Sequence, residues 1–209
     1  MDIQNKNRKL LKKNYVYDET MEHDACGVGL VASTEGLKSR KVVEYGIEAL
    51  KAVWHRGAID ADGKTGDGAG IHIEIPNDFF AEKIEITGHE HDNSDLCVGM
   101  IFLPRNDFGG QEQCRSIVES ELTKKNFNIY GWRQVPVDPS VLGEKAEQTR
   151  PEITQVLFTH NDKSIHGKDL ERALYETRRK IEKEALRNQL KNFYICSFSS
   201  KSIIYKGMF

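Results

Sequence analysis

A chain of 209 residues, 38% of them hydrophobic and 30% charged, is long enough to bury one sizeable core and too apolar to be a disordered, solvating segment. Its 30 basic and 32 acidic side chains leave a net charge of −2, which gives no electrostatic footprint for nucleic acid. No apolar run approaches the roughly 18 residues that a membrane span needs, and the four dispersed cysteines, Cys26, Cys97, Cys114 and Cys196, form no C-x-x-C pair for zinc or an iron–sulfur cluster and suit a reduced, cytoplasmic compartment.

Residues 1–25 mix basic and acidic side chains around the pair Leu10-Leu11, which is no secretory apolar region. They read as a disordered tail or as a short leader removed before Cys26. The run Cys26–Ser33 is Gly-punctuated and rich in Val and Leu, and predicts a core strand. From Ser39 the period changes: Val42, Val43, Ile47, Leu50, Val53 and Trp54 fall on one helical face, with Ser39 as N-cap and Gly57 as C-cap.

A loop with five glycines follows, from Gly57 to Gly70. Gly63-Lys64-Thr65 invites comparison with a phosphate loop, and Gly66–Gly70 with a dinucleotide turn. Both motifs need a strand before and a helix after, whereas the order here is helix, loop, strand. The strand is marked by Ile71, Ile73 and Ile75 alternating with His72 and Glu74, and Pro76 closes it. Asn77 or Asp78 can cap a short helix through Ile84, and His89 and His91 on the next polar loop read as a solvated pair rather than metal ligands.

Leu96–Leu103 predicts an apolar strand ending at Pro104, and Gln111–Lys125 an amphipathic helix with Cys114 as a small core residue. Ile129–Val137 and Ile153–Phe158 are further strands, separated by a polar connection opened by Asp138-Pro139. The longest helical signal spans Asp169 to about Leu190. Phe193–Phe198 and Ile203–Tyr205 read as a hairpin-like pair joined by Ser199-Ser200-Lys201-Ser202. The order gives an α+β fold with substantial antiparallel content, and a chain stopping directly after such a strand is expected to be truncated at Phe209.

Cys26 is the residue on which chemistry can be built. An internal cysteine near a strand is ordinarily just buried. If the Ala25–Cys26 bond is cut, the new α-amine, titrating near ~8, can take the proton of a thiol titrating near ~8.5, so that one residue supplies nucleophile and base.

Cys26-Gly27-Val28-Gly29, the helix ending Trp54-His55-Arg56-Gly57-Ala58, and Thr65-Gly66-Asp67-Gly68-Ala69-Gly70-Ile71 together closely resemble the start of the glutamate synthase large-subunit family. In that family these residues belong to a class II glutamine amidotransferase domain of the N-terminal nucleophile hydrolase superfamily. The resemblance implies a four-layer αββα fold, a leader of residues 1–25 that is removed, and an amidotransferase portion over 26–209. It implies that Cys26 attacks the side-chain amide of L-glutamine to give a glutamyl thioester and ammonia, which a distant synthase domain of the same polypeptide adds to 2-oxoglutarate. Arg56 and Gly57 match the family's His-Arg-Gly segment, where the arginine is expected near the nucleophile's backbone; a cation ending the helix is the plain alternative for Arg56. FMN, an iron–sulfur cluster and an electron donor, either a small NADPH-dependent subunit or ferredoxin, are implied for the full-length enzyme and none of them for this chain.

The sequence also departs from the family. The glutamine-holding Arg-aromatic-Ser-Thr-Asn run and the oxyanion-forming His-Asn-Gly-Glu run do not occur in these 209 residues, and His160-Asn161-Asp162 does not replace the latter. The substrate-binding residues are expected beyond Phe209, and this chain alone is expected to be inactive. Two other readings stay open: another N-terminal-nucleophile amidase or peptidase, or a non-catalytic remnant with Cys26 internal.

Overall fold

The computed structural model describes residues 3–14, 27–54, 57–90 and 95–208. Cys26, His55, Arg56 and His91 lie outside them.

The apolar strand read at Leu96–Leu103 is β2 in the chain's order, and it forms the heart of the fold. Each face of a strand takes alternate residues, and here both faces are covered. Cys97, Ile101 and Leu103 enter a core closed by α4 (Phe108–Lys124) and α6 (Gly167–Arg187), which contribute Cys114, Val118, Leu122, Leu170, Leu174 and Ile181. Leu96, Val98 and Met100 enter a second core shared with β1 (Gly68–Glu74), α3 (Asn77–Ile86) and β6 (Ser202–Met208). A strand buried on both sides has to read as a continuous apolar run, and this one does.

Around β2 stands a four-stranded antiparallel sheet ordered β3-β4-β2-β5, with β3 at Phe127–Gln134, β4 at Glu152–His160 and β5 at Tyr194–Ser199. A second, two-stranded antiparallel sheet of β1 and β6 faces it, with Ile71 opposite Tyr205 and Ile73 opposite Ile203. Buried Gln155 of β4 bridges the two sheets, donating to the Tyr205 hydroxyl at 3.2 Å and accepting from Arg133 at 2.8 Å. Helix, sheet and sheet are thus stacked, with α2 (Arg40–Ala52) against β1.

Two of the helices open on a side-chain cap. Ser39 accepts the Lys41 N–H at 3.1 Å and opens α2, and Asp107 accepts the Gly110 N–H at 2.9 Å and opens α4. Six sequence readings need correction. Neither Asn77 nor Asp78 caps α3, whose N-cap position is Pro76 with no side-chain hydrogen bond. Gly57 does not cap α2, because Val53 closes it by turning its N–H onto Leu50 and Lys51. Gly27–Ser33 is not a strand: the stretch is irregular, and Val28 and Leu30 are each 91% exposed. Among the described residues β1 pairs only with β6, so 27–33 is not hydrogen-bonded into its sheet. Residues 3–14 form a helix, α1 (Ile3–Asn14), rather than a disordered tail. The polar connection after Asp138 contains a 3-10 turn (Pro139–Val141) and a short helix, α5 (Glu144–Thr149). Finally, β5 and β6 are no hairpin. They belong to different sheets, and the turn between them carries the chain across.

Candidate functional site

Two stretches singled out in the sequence come together at one end of β1. Gly27–Ser33, α2 and the outer part of β1 line an open, mainly apolar cavity of about 1060 Å³. Val42, Val43, Leu50 and Val53 face into it, and none of them is fully buried. Gly46 lets α2 approach the sheet, since a Cβ there would sit 3.3 Å from Ile71 Cδ1. Gly27, the residue after Cys26, therefore stands on the wall of this cavity.

The glycine-rich loop leaves α2 through Gly57, which is exposed and donates to Trp54 O at 3.1 Å. It then folds back on itself. Ala58 N–H donates to Asp67 Oδ2 at 2.9 Å and Asp67 N–H to Ala58 O at 3.2 Å, while Ile59 and Gly66 form an antiparallel bridge. At the tip Asp62 accepts the N–H groups of Lys64 (3.0 Å) and Thr65 (2.7 Å) and the Thr65 hydroxyl at 2.5 Å. The Thr65 hydroxyl and these backbone donors hold the Asp62 carboxyl far below the usual carboxylate range. The amides that a phosphate cradle would need are already taken by the loop's own carboxylates, in keeping with the sequence reading.

The tip is seated on α5. That helix has no side-chain cap of its own, since its N-cap position is Gly143; Thr65 Oγ1 instead accepts the Ala146 N–H at 3.4 Å. Lys145 grips Asp60 through both carboxylate oxygens at 2.7 and 2.8 Å, which lowers the Asp60 pKa and raises that of Lys145. Two residues on, Glu147 is held by Arg150 and by Arg105 from the loop after β2, and its carboxyl is brought down to about 2. Sequence reasoning missed this seat. The Asp62-x-x-Thr65 pattern is a local turn signal, but nothing near Gly143 announces a partner some 80 residues earlier.

The cysteines divide cleanly. Cys97, Cys114 and Cys196 are buried in the cores, and burial pushes each thiol up, Cys114 to about 11. None offers a thiolate near neutrality. His89 is engaged with Thr87 Oγ1 at 3.1 Å and the edge of Tyr130, and no cluster of potential metal ligands occurs among the described residues. The thiol left for chemistry is that of Cys26, which with Arg56 lies outside the described residues.

The family profile of class-II glutamine amidotransferases matches residues 26–209, starting at Cys26 itself. The chain belongs to the class-II glutamine amidotransferases. Membership carries the N-terminal nucleophile hydrolase fold, with which the facing antiparallel sheets and their helical cover agree. Among curated relatives of this amidotransferase, the glutamate synthase [NADPH] large chain of Azospirillum brasilense is 54% identical over 92% of this chain and 13% of its own length. The ferredoxin-dependent glutamate synthase 2 of Synechocystis is 37% identical over 98% of this chain and 13% of its own. The chloroplastic ferredoxin-dependent glutamate synthase 2 of Arabidopsis thaliana is 37% identical over 93% and 12%. The chain thus spans about an eighth of the length of the relatives it matches. No described helix is long and apolar enough to cross a membrane.

Proposed function

We propose that this chain is the glutamine-hydrolysing portion of a cytoplasmic glutamate synthase large subunit, with Cys26 as its nucleophile. The observation that carries the reading is the family match that opens at Cys26 and runs to residue 209, together with 54% identity to a glutamate synthase large chain. The 98% coverage of this chain by one relative takes in most of residues 1–25, which favours a shared leader over an unrelated tail.

After cleavage of the Ala25–Cys26 bond, the Cys26 α-amine takes the thiol proton and Sγ attacks the side-chain amide carbon of L-glutamine. The C–N bond breaks, the proton passes to the leaving nitrogen, and ammonia departs from a glutamyl thioester. Water then cleaves the thioester, returning the thiol and releasing glutamate. The ammonia goes to 2-oxoglutarate in synthase domains of the same longer polypeptide. Arg56, with Gly57 after it, supports the nucleophile's backbone through guanidinium hydrogen bonds. The oxyanion donors and the glutamine clamp come from residues outside this chain, so these 209 residues alone do not turn over glutamine.

FMN and the iron–sulfur cluster are assigned to other parts of that polypeptide. The described cysteines here are buried in two separate cores and do not fit a cluster. The electron donor, a small NADPH-dependent subunit or ferredoxin, meets those other parts as well.

The test is made on the full-length polypeptide. Cys26→Ala is expected to abolish the glutamine-dependent reaction and spare the ammonia-dependent one, and intact mass is expected to show a chain beginning at Cys26. An active enzyme that still begins at Met1 would rule out the amine as base.

A further inference from the structure

We propose that Thr65 and Gly143 are positioning residues for glutamine hydrolysis, because together they seat the 58–67 loop on α5 and so fix Gly57-Ala58, which directly follow Arg56 in the chain. The proposal rests on the roles given above to Cys26 and Arg56.

The loop is closed at its base by the reciprocal hydrogen bonds of Ala58 and Asp67, and further up by Asp60 N–H to Thr65 O at 2.7 Å. A loop closed in this way moves as one piece, so its orientation is set where its tip is fastened. The tip is fastened to α5 at Thr65, which is 5% exposed and in contact with Asp62 and the Ala146 N–H, and beside it by the Lys145–Asp60 ion pair. Ala58, two residues after Arg56, is thereby tied through the loop to α5.

Gly143 is the other half of the fit. A Cβ at this position would come within 2.5 Å of both Asp62 Oδ2 and Thr65 N, and would also strike Thr65 Oγ1. These are backbone and hydrogen-bonded atoms with no slack. Gly143 has an ordinary φ of −72°, so the absence of a side chain serves contact rather than backbone conformation. α5 does not yield easily either, since Arg105 from the loop after β2 holds both the carboxylate and the backbone carbonyl of Glu147. A methyl group at 143 therefore displaces the loop rather than the helix.

Displacement of a supporting group by about 1 Å can cost as much as hundredfold in rate without touching substrate. In the full-length polypeptide, Gly143→Ala and Thr65→Val are each expected to lower kcat with glutamine by roughly tenfold to hundredfold. KM for glutamine, the rate with free ammonia and removal of residues 1–25 are expected to stay as in the wild type. Thr65→Ser, which keeps the hydroxyl, is expected to recover the glutamine rate and carries the test if Gly143→Ala fails to fold. The double variant is expected to fall no further than the worse single one, as for two lesions in one contact. Glutamine turnover within about twofold of wild type in Thr65→Val overturns the proposal, and so does a parallel fall in ammonia-dependent rate, which would mark a general loss of structure. Persistence of glutamine turnover in Cys26→Ala would instead overturn the underlying assignment of the nucleophile.

Discussion

Glu171 Oε1 accepts the Ser200 backbone N–H at 2.8 Å, at the turn where the chain leaves the four-stranded sheet for the two-stranded one. The same carboxylate takes the Ser200 hydroxyl at 2.8 Å and the Ser199 hydroxyl at 3.0 Å, so the first turns of α6 hold the crossing in place. Hydrogen bonds to a charged group contribute more than neutral ones. Glu171→Ala is expected to destabilise the chain by about 1–3 kcal/mol, and Glu171→Gln by less, since an amide oxygen still accepts. Urea denaturation measures both, and a loss under about 0.5 kcal/mol for Glu171→Ala would place the strength of the crossing elsewhere.

Gly99 lies in mid-strand on β2 between Val156 of β4 and Phe198 of β5. A Cβ there would lie 2.7 Å from Val156 Cγ1 and 2.7 Å from the Phe198 ring, which itself packs on Phe158 at 4.9 Å between centroids. Gly99→Ala should gain strand propensity, yet it is expected to destabilise by about 1–3 kcal/mol because the aromatic pair has to shift. Thermal unfolding checks the sign: a higher Tm would show that the pair yields without cost.

These two sites also mark where the sequence stops being legible. The continuous apolar run Leu96–Leu103 and the helical stripe through Leu170, Leu174 and Ile181 announce themselves because one strand is buried on both faces and one helix on a single face. The sheet to which β6 belongs cannot be read that way: a two-residue turn looks the same whether it closes a hairpin or crosses between sheets, and the deciding partner, Glu171, sits 29 residues upstream. The seat of Thr65 on α5 is hidden for the same reason. For the proposed site, Cys26 and Arg56-Gly57 are expectations drawn from a family pattern, whereas Gly143 carries no local signal because it is small where another segment arrives.

Glu147 gives a pH-dependent readout. Arg150 first and Arg105 second bring its carboxyl to about 2 from an ordinary 4.5. Since the folded value lies below the unfolded one, the stabilisation is fully present above about pH 4.5 and is lost as pH falls toward about 2. The difference in stability between wild type and Glu147→Gln is therefore expected to be level above about pH 5 and to shrink steadily below it. With the carboxylate 37% exposed, screening keeps the effect modest and salt-sensitive. Denaturation curves between pH 2 and 7 provide the measurement, and a difference that grows on acidification would contradict the assignment.

The thiols provide a final check that joins the fold to the proposed chemistry. Cys97 and Cys114 are fully buried and Cys196 is 5% exposed. For Cys97 burial is reinforced by the charges of Glu171 and Asp95; for Cys114 burial with Asp107 nearby raises the thiol to about 11; for Cys196 burial outweighs the opposing pull of Lys206 and Arg178. Alkylation requires both access and thiolate, and these three lack both near neutrality. Iodoacetamide at about pH 8, where an ordinary free thiol is partly ionised, is expected to modify, of the four cysteines in these 209 residues, Cys26 alone in the native protein and all four after unfolding. Peptide mapping of the full-length polypeptide reads two things at once. The labelled peptide is expected to contain Cys26, and to begin with it once the leader has been removed. Labelling of Cys97 or Cys114 at a rate equal to that of Cys26 would mean that the core between β2, α4 and α6 opens readily, contrary to its packing.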